Sequence, residues 1–212
     1  METNPEKTAS RIKKYKNFRS IGMELNSNIF KYAVETQITK RAASSLKMLS
    51  GKTIVVDDED QVNVLSECSI YEIPKLGKPI VGHFADQNSN LDENQALLIA
   101  AMIKSQKGLF RVENTLPEEN LVELQEVVGP KRKLFLTDIG MSMSLLSGMI
   151  IFIRPIEIED LVMTSGIGFV FPSEMEDELI KRWQKLKPTE RFSNFFRLHR
   201  IKGIPTHYEQ QS

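Results

Sequence analysis

Apolar residues near the start of the chain recur at Leu25, Ile29, Phe30, Ala33, Val34, Ile38, Ala42, Leu46 and Leu49. Steps of three and four positions put them on one face of a helix over residues 23–49, as one rod or as two joined near Thr39. Gly51 follows, where a left-handed terminating residue is expected. Residues 1–22 are polar and basic, with Lys13, Lys14, Lys16 and Arg19 and few apolar anchors, which predicts a flexible tail. Thr53, Ile54, Val55 and Val56 make a β-branched burst ahead of Asp57, Asp58, Glu59 and Asp60. Acidic side chains in the first turn of a helix gain about 0.3–1 kcal/mol each from its positive end, so these four read as a helix start. Val62, Val64, Leu65, Cys68, Ile70 and Tyr71 continue in helix-compatible order until Pro74 and Gly77. Residues 79–90 read as a loop. Residues 96–103 are apolar at eight consecutive positions, which predicts a buried central helix opened by residues 89–92 and stopped at Gly108.

Beyond Gly108 the period changes. Segments 109–115, 121–128, 133–137, 149–155 and 166–171 are short and rich in Val, Ile, Leu and Phe. Turn signals separate them: Pro117, Gly129 with Pro130, Ser147 with Gly148, and Ser165 with Gly166. Ile156, Ile158, Leu161 and Met163 add another strand or a bent continuation. No helical crossovers intervene, so the sheet is antiparallel. The helical period returns with a Ser173/Glu176 capping box, then Met175, Leu179, Trp183 and Leu186, a break at Pro188, and Phe192, Phe195, Phe196 and Leu198.

The expected fold is therefore α+β: a helical N-terminal half packed on a small antiparallel, partly barrel-like sheet, closed by C-terminal helices. The expected organisation is a basic tail over 1–22 and one domain over 23–202. Within that domain lie a helical part (23–107), a β-rich part (108–172) and C-terminal helices (173–200), before a loose end over 203–212.

Composition narrows the classes. With 212 residues, 41% hydrophobic and 26% charged, the chain has a globular make-up. One cysteine, Cys68, excludes a disulfide framework and a Cys-based metal site. The most apolar window, 141–153, is 13 residues long and broken by Ser142, Ser144 and Ser147, against the ~20 that a membrane helix needs. No apolar stretch within the first 30 residues reads as a secretory leader, so the expected compartment is the cytoplasm, with no membrane partner.

Charge changes the picture more. The neutral total hides net +6 over residues 1–50, −12 over 51–180 and +6 over 181–212. Either the basic ends fold against the acidic middle, or they form a positive face for an anionic partner. The first is preferred, because a nucleic-acid domain usually carries an overall basic balance too.

The candidate chemistry is thin. Asp57, Asp58, Glu59 and Asp60 lack the alternation and central glycine of a calcium loop. His83, His199 and His207 are far apart in sequence, and no Gly-x-Ser-x-Gly elbow is present. Cys68 beside Glu67 reads as a small core residue, not a nucleophile. Gly166 and Gly168 precede Phe169, Val170 and Phe171, so they mark a bend in the sheet rather than a dinucleotide loop. No catalytic, cofactor or metal residue is assigned. Arg191, Arg197, Arg200 and Lys202 interleave with Phe192, Phe195 and Phe196, the pattern of a single-stranded nucleic-acid surface. Phenylalanines at helical spacing more often face the core, and that reading is preferred.

The order of strands over 109–171, ending in Met163, Thr164, Ser165, Gly166 and then Phe169, Val170, Phe171, Pro172, resembles an uncharacterised family of soluble bacterial (cyanobacterial) proteins. The resemblance covers residues 51–202 and implies no activity and no catalytic residue. The expectation is a non-catalytic cytoplasmic protein whose partner is another protein. RNA or single-stranded DNA binding by the basic ends is the alternative, and an enzyme with a site assembled only in space is the third class. Oligomeric state is left open.

Overall fold

The early helical period resolves into α1 (Pro5–Glu35) and α2 (Ile38–Leu46). They part at Gln37, whose φ of 62° is left-handed, while Thr39 is buried in the first turn of α2. The computed structural model describes residues 5–205. Within that span the expected tail is helix: residues 5–22 belong to α1, and Tyr15 and Phe18 are buried. Two aromatic anchors outweigh the polar average of this stretch. Residues 206–212 of the expected loose end lie outside the described residues, whereas Ile204 pairs with Val170.

The residue that terminates α2 is Lys47, at φ 64°. Gly51, at φ 62°, serves instead in the turn of a two-stranded hairpin, β1 (Leu49–Ser50) and β2 (Thr53–Ile54). Helix α3 (Glu59–Glu67) starts on Asp58, whose side chain accepts from the Gln61 amide, as the acidic start predicts. It runs into a π-helical turn, Cys68–Glu72. The expected loop over 79–90 is largely helix α4 (Ile80–Gln87). Pro79 does not break structure there but opens it: its carbonyl accepts from Gly82 and His83, and Ile80, Val81 and Phe84 are buried. Helix α5 (Glu93–Lys104) begins with a reciprocal cap, the Gln95 amide donating to Asp92 and the Asp92 amide donating to Gln95. Leu98, Ile99, Ala101 and Met102 are buried, but Leu97 and Ile103 are exposed, so the eight-residue apolar run is not enclosed on all sides.

The five expected segments fall in β3 (Gly108–Leu116), β4 (Leu121–Glu126), β5 (Lys133–Thr137), β6 (Ile150–Ile158) and β7 (Leu161–Phe171), while Ile156 and Ile158 continue β6 and Leu161 and Met163 open β7 instead of forming a further strand. They make one antiparallel sheet in the order β5-β4-β3-β6-β7. The edges β5 and β7 approach each other without pairing, so the sheet is strongly curled and stays open. Its inner face carries Phe110, Val112, Val122, Leu124, Leu134, Leu136, Ile151, Ile153 and Val170. Helix α6 (Ile139–Ser144) links β5 to β6 and adds Met141 and, just beyond it, Leu145 to that core. The β6–β7 hairpin turns at Glu159, φ 54°, a position that no Gly or Pro marks. Ser165 and Gly166, expected as a turn, lie within β7 near a register shift, with Gly166 at φ 129°.

Helix α7 (Glu176–Lys185) follows a 3-10 turn, Ser173–Met175, and neither helix carries a side-chain cap bond. The expected Ser173/Glu176 capping box is therefore absent, because Arg111 takes both oxygens of Glu176. Helix α8 (Pro188–Lys202) starts at Pro188.

The chain divides into two compact units. One comprises residues 5–17, 105–186 and 198–205; the other comprises 18–104 and 187–197. In the first unit, Phe152 stacks on Phe169 at 5.7 Å and meets Trp183 at 6.0 Å, and His199 lies 5.5 Å from Phe169. In the second, Gly22 of α1 faces Leu98 of α5, and Tyr32 meets Phe84 edge-on at 6.4 Å.

Candidate functional site

The hairpin of the second unit is built from a short stretch of sequence. Ser50 pairs with Thr53 around Gly51 and Lys52; glycine at positive φ in the first central position is the demand of a type II′ turn. Leu49 pairs with Ile54, and the Val55 amide donates to the Met48 carbonyl at 2.9 Å. In an antiparallel ladder hydrogen-bonded and non-hydrogen-bonded pairs alternate. Val55–Met48 being the bonded pair, the amide and carbonyl of Ile54 point away from β1. Among the described residues no backbone hydrogen bond reaches the Ile54 or Val56 amide. The outer edge of β2 is thus open. Its flanks are apolar and wet, with Val55 46% and Val56 39% exposed and Leu49 and Val62 exposed near them in sequence.

The acidic residues that follow are occupied by structure. Asp58 Oδ1 accepts from the Gln61 amide at 2.8 Å and Asp57 Oδ2 from Gln61 Nε2 at 2.9 Å. They remain exposed at the end of the open edge. Among the described residues, no group of three or more His, Cys, Asp or Glu side chains is placed to hold a metal ion.

The basic C-terminal candidates lie on α8. Phe192, Phe195 and Phe196 are buried, so none offers a face for a base to stack on. Arg197 donates to the Ser45 carbonyl at 3.5 Å. Lys202 pairs with Glu178 at 3.1 Å. Arg191 is half-buried, and that burial lowers its pKa. Arg200 is exposed.

The basic ends do fold against the acidic middle within the first unit. Lys14 bridges Glu159 at 2.7 Å and Asp160 at 2.6 Å, Arg11 reaches Glu119, and Arg182 meets Glu178 at 3.0 Å. Asp160 and then Glu159 raise the Lys14 pKa, and Lys14 lowers that of Asp160. Glu178 is likewise lowered, by Lys202 first and Arg182 second.

The remaining candidates are structural. Cys68, the one cysteine, is buried in the π-helical turn. The His83 ring meets the Lys75 carbonyl at 2.6 Å and the His199 ring meets that of Ile204 at 3.0 Å; His207 lies outside the described residues. Gly168 packs under Ile153 and Met141, where a Cβ would sit 3.0 Å and 3.2 Å from their side chains, as a glycine inside a curled sheet requires. The hairpin edge is the feature that the sequence reading passed over. Its signal was four consecutive β-branched residues with no proline, glycine or charge among them.

A family model described as a family of unknown function, DUF7986, matches residues 9–209. No curated protein and no solved structure matches the chain.

Proposed function

We propose, from the premise that the chain belongs to this family of unknown function, that it is a non-catalytic protein-interaction protein whose recognition element is the open edge of β2. The observation that carries the reading is the unpaired outer edge at Ile54 and Val56, bordered by exposed β-branched side chains. An isolated two-stranded hairpin is marginal in water, and an exposed apolar edge is ordinarily blunted by charge, proline or a bulge. This one carries none of these between Thr53 and Val56. Such an edge is complementary to an extended protein segment that adds as a further strand, main-chain bonds giving affinity and alternate side chains giving selectivity. The reading places the protein in the bacterial cytoplasm, in keeping with a single cysteine kept as a buried thiol. Among the described residues no helix is long and apolar enough to cross a membrane.

The test is a photoreactive side chain placed at Val56 and, as a control, at Leu76, which is 92% exposed on the same unit. In living cells the label at 56 gives a discrete protein adduct that Ile54→Pro abolishes, while the label at 76 does not. Adducts to nucleic acid, or labelling at 56 no different from that at 76, would overturn the reading.

A further inference from the structure

We infer that the occupant of the β2 edge is the β2 edge of a second copy of this chain, paired antiparallel across a two-fold axis to join two hairpins into a four-stranded sheet. The inference rests on the interaction reading above and adds the partner's identity. A two-fold interface requires a self-complementary patch, and the registers open to this edge can be compared residue by residue. Ile54 carries the outward backbone groups of β2, and Val56, two residues on, has an amide that no backbone bond reaches, so a bonded pair that extends the strand joins residues from this set. Placing Ile54 opposite Ile54 sets Lys52 against Val56. Placing Val56 opposite Val56 sets Ile54 against Asp58, an apolar side chain against a carboxylate. Placing Ile54 opposite Val56 sets Val55 against Val55 on the axis and Thr53 against Asp57. It also brings Lys52, in the turn of each copy, toward the exposed Asp57 and Asp58 in the bend that follows the strand of the other.

Only the last register matches apolar with apolar and cation with anion. It matches them twice, once at each end. The exposures agree with it: Val55 and Val56 are exposed together with Lys52, Asp57 and Asp58. The acidic residues also act against the wrong arrangements, since a parallel alignment would bring Asp57, Asp58, Glu59 and Asp60 of both copies together.

The axis position supplies the experiment. A non-hydrogen-bonded antiparallel pair has its Cα atoms about 4.5 Å apart, within the ~4.4–6.8 Å that a disulfide spans. Cys68 is buried, so the introduced thiol is the reactive one. Full-length Val55→Cys under mild oxidation forms a covalent dimer about tenfold faster than full-length Leu76→Cys, because proximity replaces diffusion. Wild-type protein sediments as a dimer, and Ile54→Pro sediments as a monomer with an unchanged circular dichroism spectrum. The proline removes an outward donor and leaves the Val55–Met48 bond in place. Lys52→Glu, an exposed turn substitution, weakens the dimer and gives a second variant should the proline unfold the hairpin. A wild-type monomer, a dimer that survives both substitutions, or equal oxidation rates at 55 and 76 overturns the inference. A photo-adduct at Val56 to a different protein removes the second copy and leaves the interaction reading standing; absence of any protein adduct removes both.

Discussion

Asp138 ties three segments of its unit together through one side chain and one amide. Its Oδ1 accepts from the Met141 amide at 2.9 Å and so caps α6, the Tyr15 hydroxyl donates to Oδ2 at 3.4 Å, and its own amide donates to the Asn120 carbonyl at 3.0 Å. Removing a cap costs about 0.5–2 kcal/mol, and leaving buried donors unmet adds to that. Asp138→Ala is therefore expected to lower stability by about 1–3 kcal/mol, read from the urea midpoint at constant slope; a loss under ~0.5 kcal/mol would refute the role. Gly166 isolates a different cost. A Cβ there meets nothing within 4 Å, so only its φ of 129° opposes a side chain. Gly166→Ala is expected to destabilise by about 1–3 kcal/mol through backbone strain alone. A neutral result in the same unfolding assay would show that β7 relaxes at its irregular point. Here the sequence was readable: paired glycines ahead of a buried strand marked a bend, and Gly168 lies close under Ile153 and Met141.

At the scale of elements, α1 is secured to the tip of the β6–β7 hairpin by Lys14 between Glu159 and Asp160. The Asp160 carboxyl is held below its ordinary range by Lys14, and Glu178 by Lys202 and then Arg182. A carboxylate depressed in the folded state stabilises it above the ordinary pKa, and that contribution is lost as pH falls from about 4 downward. Stability measured by denaturant at pH 6 and pH 3 is expected to drop less in Asp160→Asn and Glu178→Gln than in the wild type. The differences will be small and will shrink further in high salt, because these groups are largely exposed. An unchanged pH slope in both variants would show that the pairs contribute nothing. The strands were legible because their runs are short and rich in Val, Ile, Leu and Phe and most of their turns carry Gly or Pro; the β6–β7 turn at Glu159, which carries neither, was missed. The helices failed where punctuation misled. Pro79 and the polar residues up to Asn90 looked like a loop, yet proline opens α4. Ser173 and Glu176 had the spacing of a capping box, but Arg111, distant in sequence, takes Glu176. A local motif cannot report a competing long-range partner.

For the whole molecule, the basic–acidic–basic layout is the pattern that most invites a nucleic-acid reading, and pairing within the chain accounts for much of it. Arg11, Lys14, Arg182 and Lys202 each meet a carboxylate from the acidic middle. The rings that would have stacked bases, Phe192, Phe195 and Phe196, lie in the core. What was legible was the alternation of charge and the helical spacing of the phenylalanines. The open hairpin edge was not, because exposure depends on what else the chain brings near, and four β-branched residues in a row fit a buried strand equally well. Non-specific affinity for nucleic acid scales with the number of phosphates neutralised by free cations and falls steeply with salt. With Arg11, Lys14, Arg182 and Lys202 engaged by its own carboxylates and its net charge zero, the chain has fewer cations to exchange for bound counterions. Labelled single-stranded RNA titrated with the protein is accordingly expected to show no saturable anisotropy change at about 0.15 M salt. Arg200→Ala should leave the titration unaltered. Saturable binding that weakens with salt and is lost on combining Arg191→Ala, Arg197→Ala and Arg200→Ala would reverse the ranking and move recognition from the β2 edge to α8.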